Sequence, residues 1–132
     1  MAGIKITKYD KLLRLLLKAT RQKNGMIACA KCEKEYPLED CAGVHVSHFF
    51  GRANWAVRLD EENVDFHCHG CHQHLGGNPH KFREWKMAQM GEDKYWALVR
   101  RAKAVNKRPK GWKDEWYEET KKRIENVQTR GI

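Results

Sequence analysis

Two short cysteine pairs, Cys29-Ala-Lys-Cys32 and Cys68-His-Gly-Cys71, constrain this chain more than any other feature. Zinc takes four tetrahedral ligands, and each C-x-x-C turn presents two sulfurs from one tight loop. Two such turns complete one site. A chain of 132 residues buries only a modest core, which a structural ion would help to hold. The stretch between the pairs is longer than in a simple zinc ribbon and has room for a β-hairpin. The expectation is one domain over residues 1–132, of α+β class, organised around structural Zn2+ on Cys29, Cys32, Cys68 and Cys71.

Disulfides are the competing use of five cysteines. Met1 to Lys11 is basic and polar and has no apolar stretch leading to a cleavage site. Paired C-x-x-C in an unsecreted chain reads as metal. Cys41 is left over as an ordinary free thiol. Leu12 to Leu17 is interrupted by Arg14 and is too short to span a bilayer, so no membrane role is expected. The net charge of +9 favours a polyanionic partner, most naturally nucleic acid.

Three segments follow from the patterning. Over residues 5–24, Tyr9, Leu12, Leu13, Leu16 and Leu17 keep helical spacing, and Lys11, Arg14, Lys18 and Arg21 share the opposite face. Lys11, Arg14 and Lys18 are candidate phosphate contacts on that basic helix. Residues 26–77 form the zinc-bound core. Within it Val44 to Phe50 is β-prone, Gly51 to Asn54 loops, and Asn63 to Cys68 returns as a strand. A short helix begins near Cys71 and stops by Gly76-Gly77. Residues 78–132 read as a helical extension. Asn78 is the expected N-cap before Pro79, and Gly91 is the first break. Tyr95, Leu98, Val99, Ala102 and Val105 mark a second helix. After a basic turn over 106–111, Trp116, Tyr117, Thr120, Ile124 and Val127 mark a third. Glu118–Lys122 and Glu119–Arg123 are spaced for i,i+4 pairing.

The core also carries His48, Asn63 and His72 in an order that suits phosphodiester hydrolysis. That reaction needs an attacking water, a base for its proton, and a cation against the charge on the phosphate and leaving oxygen. A neutral imidazole suits the base, which assigns His48 at the strand end. Asn63 opens the paired strand, where its amide can bridge backbone groups across the hairpin loop and hold His48. His72, following Cys71, can turn a ring nitrogen to a catalytic divalent metal (Mg2+, Mn2+, Ni2+ or Zn2+).

Together these residues resemble the HNH (ββα-metal) nucleases built on a treble-clef zinc scaffold. More narrowly, Ser47-His48-Phe49-Phe50-Gly51-Arg52, then Arg58-Leu59-Asp60, Asn63-Val64, and Cys68 through Asn78 are similar to the phage NinG (Rap) recombination proteins. The helix before this core and the helices after it resemble that family's flanks. The resemblance implies an endonuclease on branched DNA, such as Holliday junctions, D-loops or flaps, in the cytoplasm of a bacterium or phage-infected host. It assigns His48 as the motif histidine, Asn63 as the central asparagine and His72 as the closing metal ligand. The wider group carries Asp just before the base, where this chain has Ser47. The NinG-like pattern carries an acidic residue three before it, where this chain has His45. His45 is therefore the expected second metal ligand, against water or Asp40. An all-imidazole site would favour zinc, nickel or manganese over magnesium.

Arg52 and Arg58 are expected phosphate contacts, because a guanidinium fork matches that geometry. Trp55 between them is a candidate stacking platform for an unpaired base. Trp85, Trp96, Trp112 and Trp116 read as packing residues. Two alternatives stand beside the branched-DNA nuclease. One is a duplex-nicking HNH enzyme of phage packaging or a mobile element. The other is a non-catalytic zinc-dependent DNA-binding accessory. Symmetric junction cutting needs two active sites, so a homodimer fits the first reading.

Overall fold

A computed structural model describes residues 5–104 and 108–129. Val105 and Asn106 of the sequence expectation lie outside the described residues. Among the described residues, five α-helices and two small antiparallel sheets make an α+β fold.

Helix α1 (Lys8–Arg21) begins at a capping box. Thr7 Oγ1 accepts from the Asp10 amide at 3.3 Å, and Asp10 Oδ2 accepts from the Thr7 amide at 2.7 Å. The helix lies inside the expected 5–24 at both ends. Strands β1 (Met26–Ala28) and β2 (Glu35–Pro37) pair antiparallel, with the first cysteine pair in their connection. Sequence patterning missed β2, because a proline at its end weighs against a strand.

Strands β3 (Val44–His48) and β4 (Val64–Cys68) form the second hairpin. Val44 faces Cys68, His45 faces His67, and His48 faces Val64. β4 runs directly into α2 (His69–Gly76). Helices α3 (Pro79–Met90), α4 (Glu92–Lys103) and α5 (Trp112–Thr129) complete the chain. Gly91 separates α3 from α4 at φ 87°, a conformation that favours glycine. Asn78 precedes α3 as expected, but its side chain does not cap it. The amide instead donates to the His74 carbonyl at 2.7 Å, closing the end of α2.

The core lies between α1 and the β3–β4 hairpin. Leu13, Leu16 and Leu17 pack with Val44, Val64 and Phe66. Each buried leucine contributes about 1.5–3 kcal/mol relative to exposure. Arg14 and Arg21, half of the basic stripe, are spent on this packing. Arg14 donates to the carbonyls of Val44 at 3.2 Å and Cys41 at 3.0 Å. Arg21 donates to those of Val64 and Glu61, each at 2.8 Å. α5 covers the far side of α1, where Tyr9 donates to Asp114 at 2.6 Å and packs edge-on against Tyr117. The expected i,i+4 pairs of α5 are replaced. Glu118 meets Lys121, and Arg123 reaches out to Glu61 at 2.8 Å. α3 is fastened by the buried Lys86, whose ammonium lies 2.7 Å from Asp65. No helix among the described residues is long and apolar enough to cross a membrane.

Candidate metal centre and the adjoining basic cleft

The two hairpins bring the cysteine pairs together. The sulfurs of Cys29, Cys32, Cys68 and Cys71 all lie within 4.8 Å of one another. Tetrahedral zinc–thiolate bonds of about 2.3 Å place ligand sulfurs about 3.8 Å apart. The Cys32 and Cys68 sulfurs are 3.7 Å apart, so the set fits that ion. Each pair also turns an amide onto its own first sulfur, Cys32 to Cys29 at 3.5 Å and Cys71 to Cys68 at 3.4 Å. The Ala30 amide donates to the Phe66 carbonyl at 2.7 Å, seating the first turn on β4. Burial pushes the Cys29 thiol up, but backbone donors at Cys32, Cys68 and Lys31 outweigh it and bring it down to about 7. Burial and the neighbouring thiols push Cys71 up to about 12. The group thus resists full ionisation unless a cation compensates it, which is the chemistry of a metal site. Cys41 stays apart, buried, with its thiol donating to the Leu38 carbonyl.

Beside this centre lies a cleft of about 360 Å³ between α1, β3, α2 and the loop after β3. His45, His48, Arg52 and His72 line it, with Lys11 and Arg14 from α1. Six residues selected from sequence thus share one concavity. Lys18 is not among the residues that line it, and neither is the exposed Asp40.

His48 Nε2 sits 3.1 Å from the Arg58 carbonyl. A carbonyl only accepts, so Nε2 carries the ring proton and Nδ1 keeps its lone pair. Burial, then the Arg52 charge, lowers the His48 pKa to about 4, leaving it neutral at physiological pH. The His45 and His72 rings stack with centroids 5.4 Å apart and planes 19° apart. His72 Nδ1 is buried without a protein partner. Burial, then the neighbouring His45, lowers the His72 pKa.

Asn63 is fully buried and ties the loop to the hairpin. Its Oδ1 accepts from the Phe50 amide at 2.8 Å. Its Nδ2 donates to the carbonyls of Phe50 at 3.0 Å and Val57 at 3.1 Å. The segment carrying the Arg58 carbonyl is thereby held against the strand that carries His48.

Two of the sequence-selected residues serve other ends. Arg58 is only 2% exposed, and its guanidinium is paired with Asp10 at 2.8 Å. It also donates to the carbonyls of Lys5 and Arg52. Its forks are filled within the protein, so it is no phosphate contact. Its proximity to Arg52 in sequence hid the carboxylate partner on α1. Trp55 packs edge-on against Tyr9 and Trp112. The Lys113 ammonium lies 3.5 Å from its ring centroid and the Arg58 guanidinium 4.2 Å. Those two cations occupy the surface a base would need, which corrects its reading as a stacking platform. Asp10 was not singled out from sequence. The Thr7-x-x-Asp10 capping pattern marks a helix start, but nothing local announces the pairing with Arg58.

No protein-family model, curated protein or solved structure matches the chain.

Proposed function

We propose that this protein is a metal-dependent HNH-type endonuclease on a treble-clef zinc scaffold, hydrolysing DNA phosphodiester bonds and acting on branched or single-stranded intermediates. The observation that carries the reading is His48. It is a neutral imidazole with one nitrogen fixed on a backbone carbonyl and the other free, in a cationic cleft shared with His45 and His72. The order β3, β4, α2, with the cysteine cluster at the hairpin's open end beside Val44 and Cys68, supports the ββα-metal assignment.

In this mechanism His48 Nδ1 takes the proton of the attacking water as the new P–O bond forms and the bond to the leaving oxygen breaks. The Arg58 carbonyl holds Nε2–H and stabilises the imidazolium as it forms. Asn63 keeps that carbonyl and His48 in register by pinning Phe50 and Val57. Arg52 and Lys11 draw the phosphate into the cleft. His45 and His72 would hold the divalent ion, which supplies positive charge against the phosphate and leaving oxygen. Two imidazoles suit zinc or nickel better than magnesium.

A non-catalytic DNA-binding role is the second reading, favoured by one observation. The carboxylate that lines the cleft, Asp10, is committed to Arg58. The test is cleavage of a labelled four-way junction, flap, single strand and linear duplex after EDTA treatment and metal add-back, for wild type and His48→Ala. Metal-restored, His48-dependent cutting of branched substrates supports the nuclease. Equal cutting of duplex points to a nicking enzyme. DNA binding with no cutting by any metal establishes the accessory reading instead.

A further inference from the structure

His48 faces two cavities. One is the cationic cleft described above. The other, of about 580 Å³, is lined by His48, the loop after β3, the end of α2, the start of α3 and Tyr95 of α4. Its walls are aromatic and aliphatic, from Phe49, Phe50, Leu75, Phe82 and Tyr95. Phe49 forms an ordered base there, packed edge-on against Phe50, Phe82 and Tyr95 with centroids 4.9–5.8 Å apart. Arg83 and His80 stand exposed at the rim. His48 thus lines both a cationic cleft and an aromatic pocket with Arg83 at its rim.

A nucleotide has the same division, an anionic phosphate joined through the sugar to a flat apolar base. Base–aromatic contacts tolerate any sequence, because every base has a π-face. A stacked, paired base in duplex DNA cannot reach a pocket beside its own phosphate, whereas an unpaired one can. We infer that the half-exposed Phe50, backed by the buried Phe82 and Tyr95, receives one unstacked nucleobase of a single-stranded or branched DNA whose adjoining phosphate lies at His48. This inference rests on the proposed nuclease reading for the phosphate side. It gives that reading a physical source of substrate choice, and it assigns to the Phe50 pocket the stacking that Trp55 cannot provide.

The test uses the full, zinc-loaded chain and a fluorescein-labelled single-stranded oligonucleotide, with a matched linear duplex as control. Gly76→Leu adds an apolar side chain at the exposed rim of the pocket, where a Cβ meets no atom within 4 Å. Phe50→Ala removes one wall, and Phe50→Trp rebuilds it. Stacking of one base is worth about 1–3 kcal/mol, which is roughly a 5- to 150-fold change in Kd. The expected result is a single-strand Kd weakened by at least fivefold in Gly76→Leu and Phe50→Ala, restored in Phe50→Trp, with duplex Kd unchanged. A single 2-aminopurine in the wild-type complex should change its emission on binding, a change lost in Gly76→Leu. Unchanged single-strand affinity in both Phe50→Ala and Gly76→Leu overturns the pocket assignment, even where His48-dependent cleavage survives. Absence of binding to any DNA by wild type overturns the nuclease reading together with it.

Discussion

Replacing Asn63 by Ala tests whether one amide holds the cleft together. Three hydrogen bonds disappear, two at Phe50 and one at Val57. The Val57 carbonyl keeps the Asp60 amide at 3.1 Å and is not orphaned. The Phe50 amide and carbonyl lose these partners. Phe50 is half-buried, so water reaches them in part, and about 1 kcal/mol each is the appropriate end of the range. Asn63 itself is 0% exposed, and the space left by its amide adds about 1 kcal/mol more. The sum is about 3 kcal/mol. With a urea m-value of about 2 kcal/mol/M, the unfolding midpoint falls by about 1.5 M at unchanged slope. The loop also releases the Arg58 carbonyl from His48, so on the proposed nuclease reading cleavage under folding conditions should drop with little change in DNA affinity. A midpoint shift below about 0.3 M, or full cleavage by a destabilised Asn63→Ala protein, would refute the reasoning.

Four further outcomes follow from the same structure. Lys86→Met leaves Asp65 buried with only Gln89 beside it at 2.6 Å and should cost about 3 kcal/mol, while the Lys86→Met, Asp65→Leu pair should cost clearly less; equal losses in urea melts would contradict this. Native mass spectrometry should find one zinc on the four thiols and none after Cys68→Ser with Cys71→Ser, and chelation should lower and broaden the thermal transition; a melt indifferent to chelator would remove the metal from the fold. His48 should titrate by NMR near pH 4 against about 6.5 unfolded, so the unfolded state binds the extra proton between those values and stability falls as pH drops through that window, with cleavage failing only near its lower end; a midpoint at 6 or above would sink the assignment. Trp55→Ala should lower stability by about 2 kcal/mol through lost packing yet leave single-strand affinity within about twofold, and a large affinity loss would reinstate it as a base platform.

The parts of the fold that were readable from sequence are those specified by local pattern. The leucine spacing marks α1, β-prone residues mark β3, alternation marks β4, and Gly91 marks the break between α3 and α4. The cysteine spacing marks the thiol cluster, because C-x-x-C is itself a local turn. The convergence of His45, His48, Arg52 and His72 was legible for a related reason, since all four lie on or beside one hairpin and its following helix. What stayed hidden depends on distant partners. Arg58 reads as a surface guanidinium until Asp10 arrives from α1. Arg14 and Arg21 read as a phosphate-binding stripe until the strand-end carbonyls claim them. Lys86 was not singled out from sequence, and its buried pairing with Asp65 depends on β4 and α3 meeting. Trp55 lies in a loop, and nothing nearby announces that Lys113 of α5 will cover it. The aromatic pocket is assembled from the loop after β3 and helices α2, α3 and α4 with no shared motif and is visible only in three dimensions.

The β3–β4 ribbon has two strands and therefore no third strand to hold its alignment. A slip of one residue would turn every side chain to the opposite face, exchanging His48 for its neighbours in the cleft. Two fasteners at opposite ends oppose such sliding. The thiol cluster clamps the end at Cys68, and the Asn63 amide clamps the end at His48. Neither alone fixes the ribbon's position. A chain that has collapsed but not yet gathered its ion can carry every residue of the cleft and still hold them out of step. Competence for the chemistry would then be acquired last, as a check that the metal has been taken up and the hairpin has closed in its proper frame.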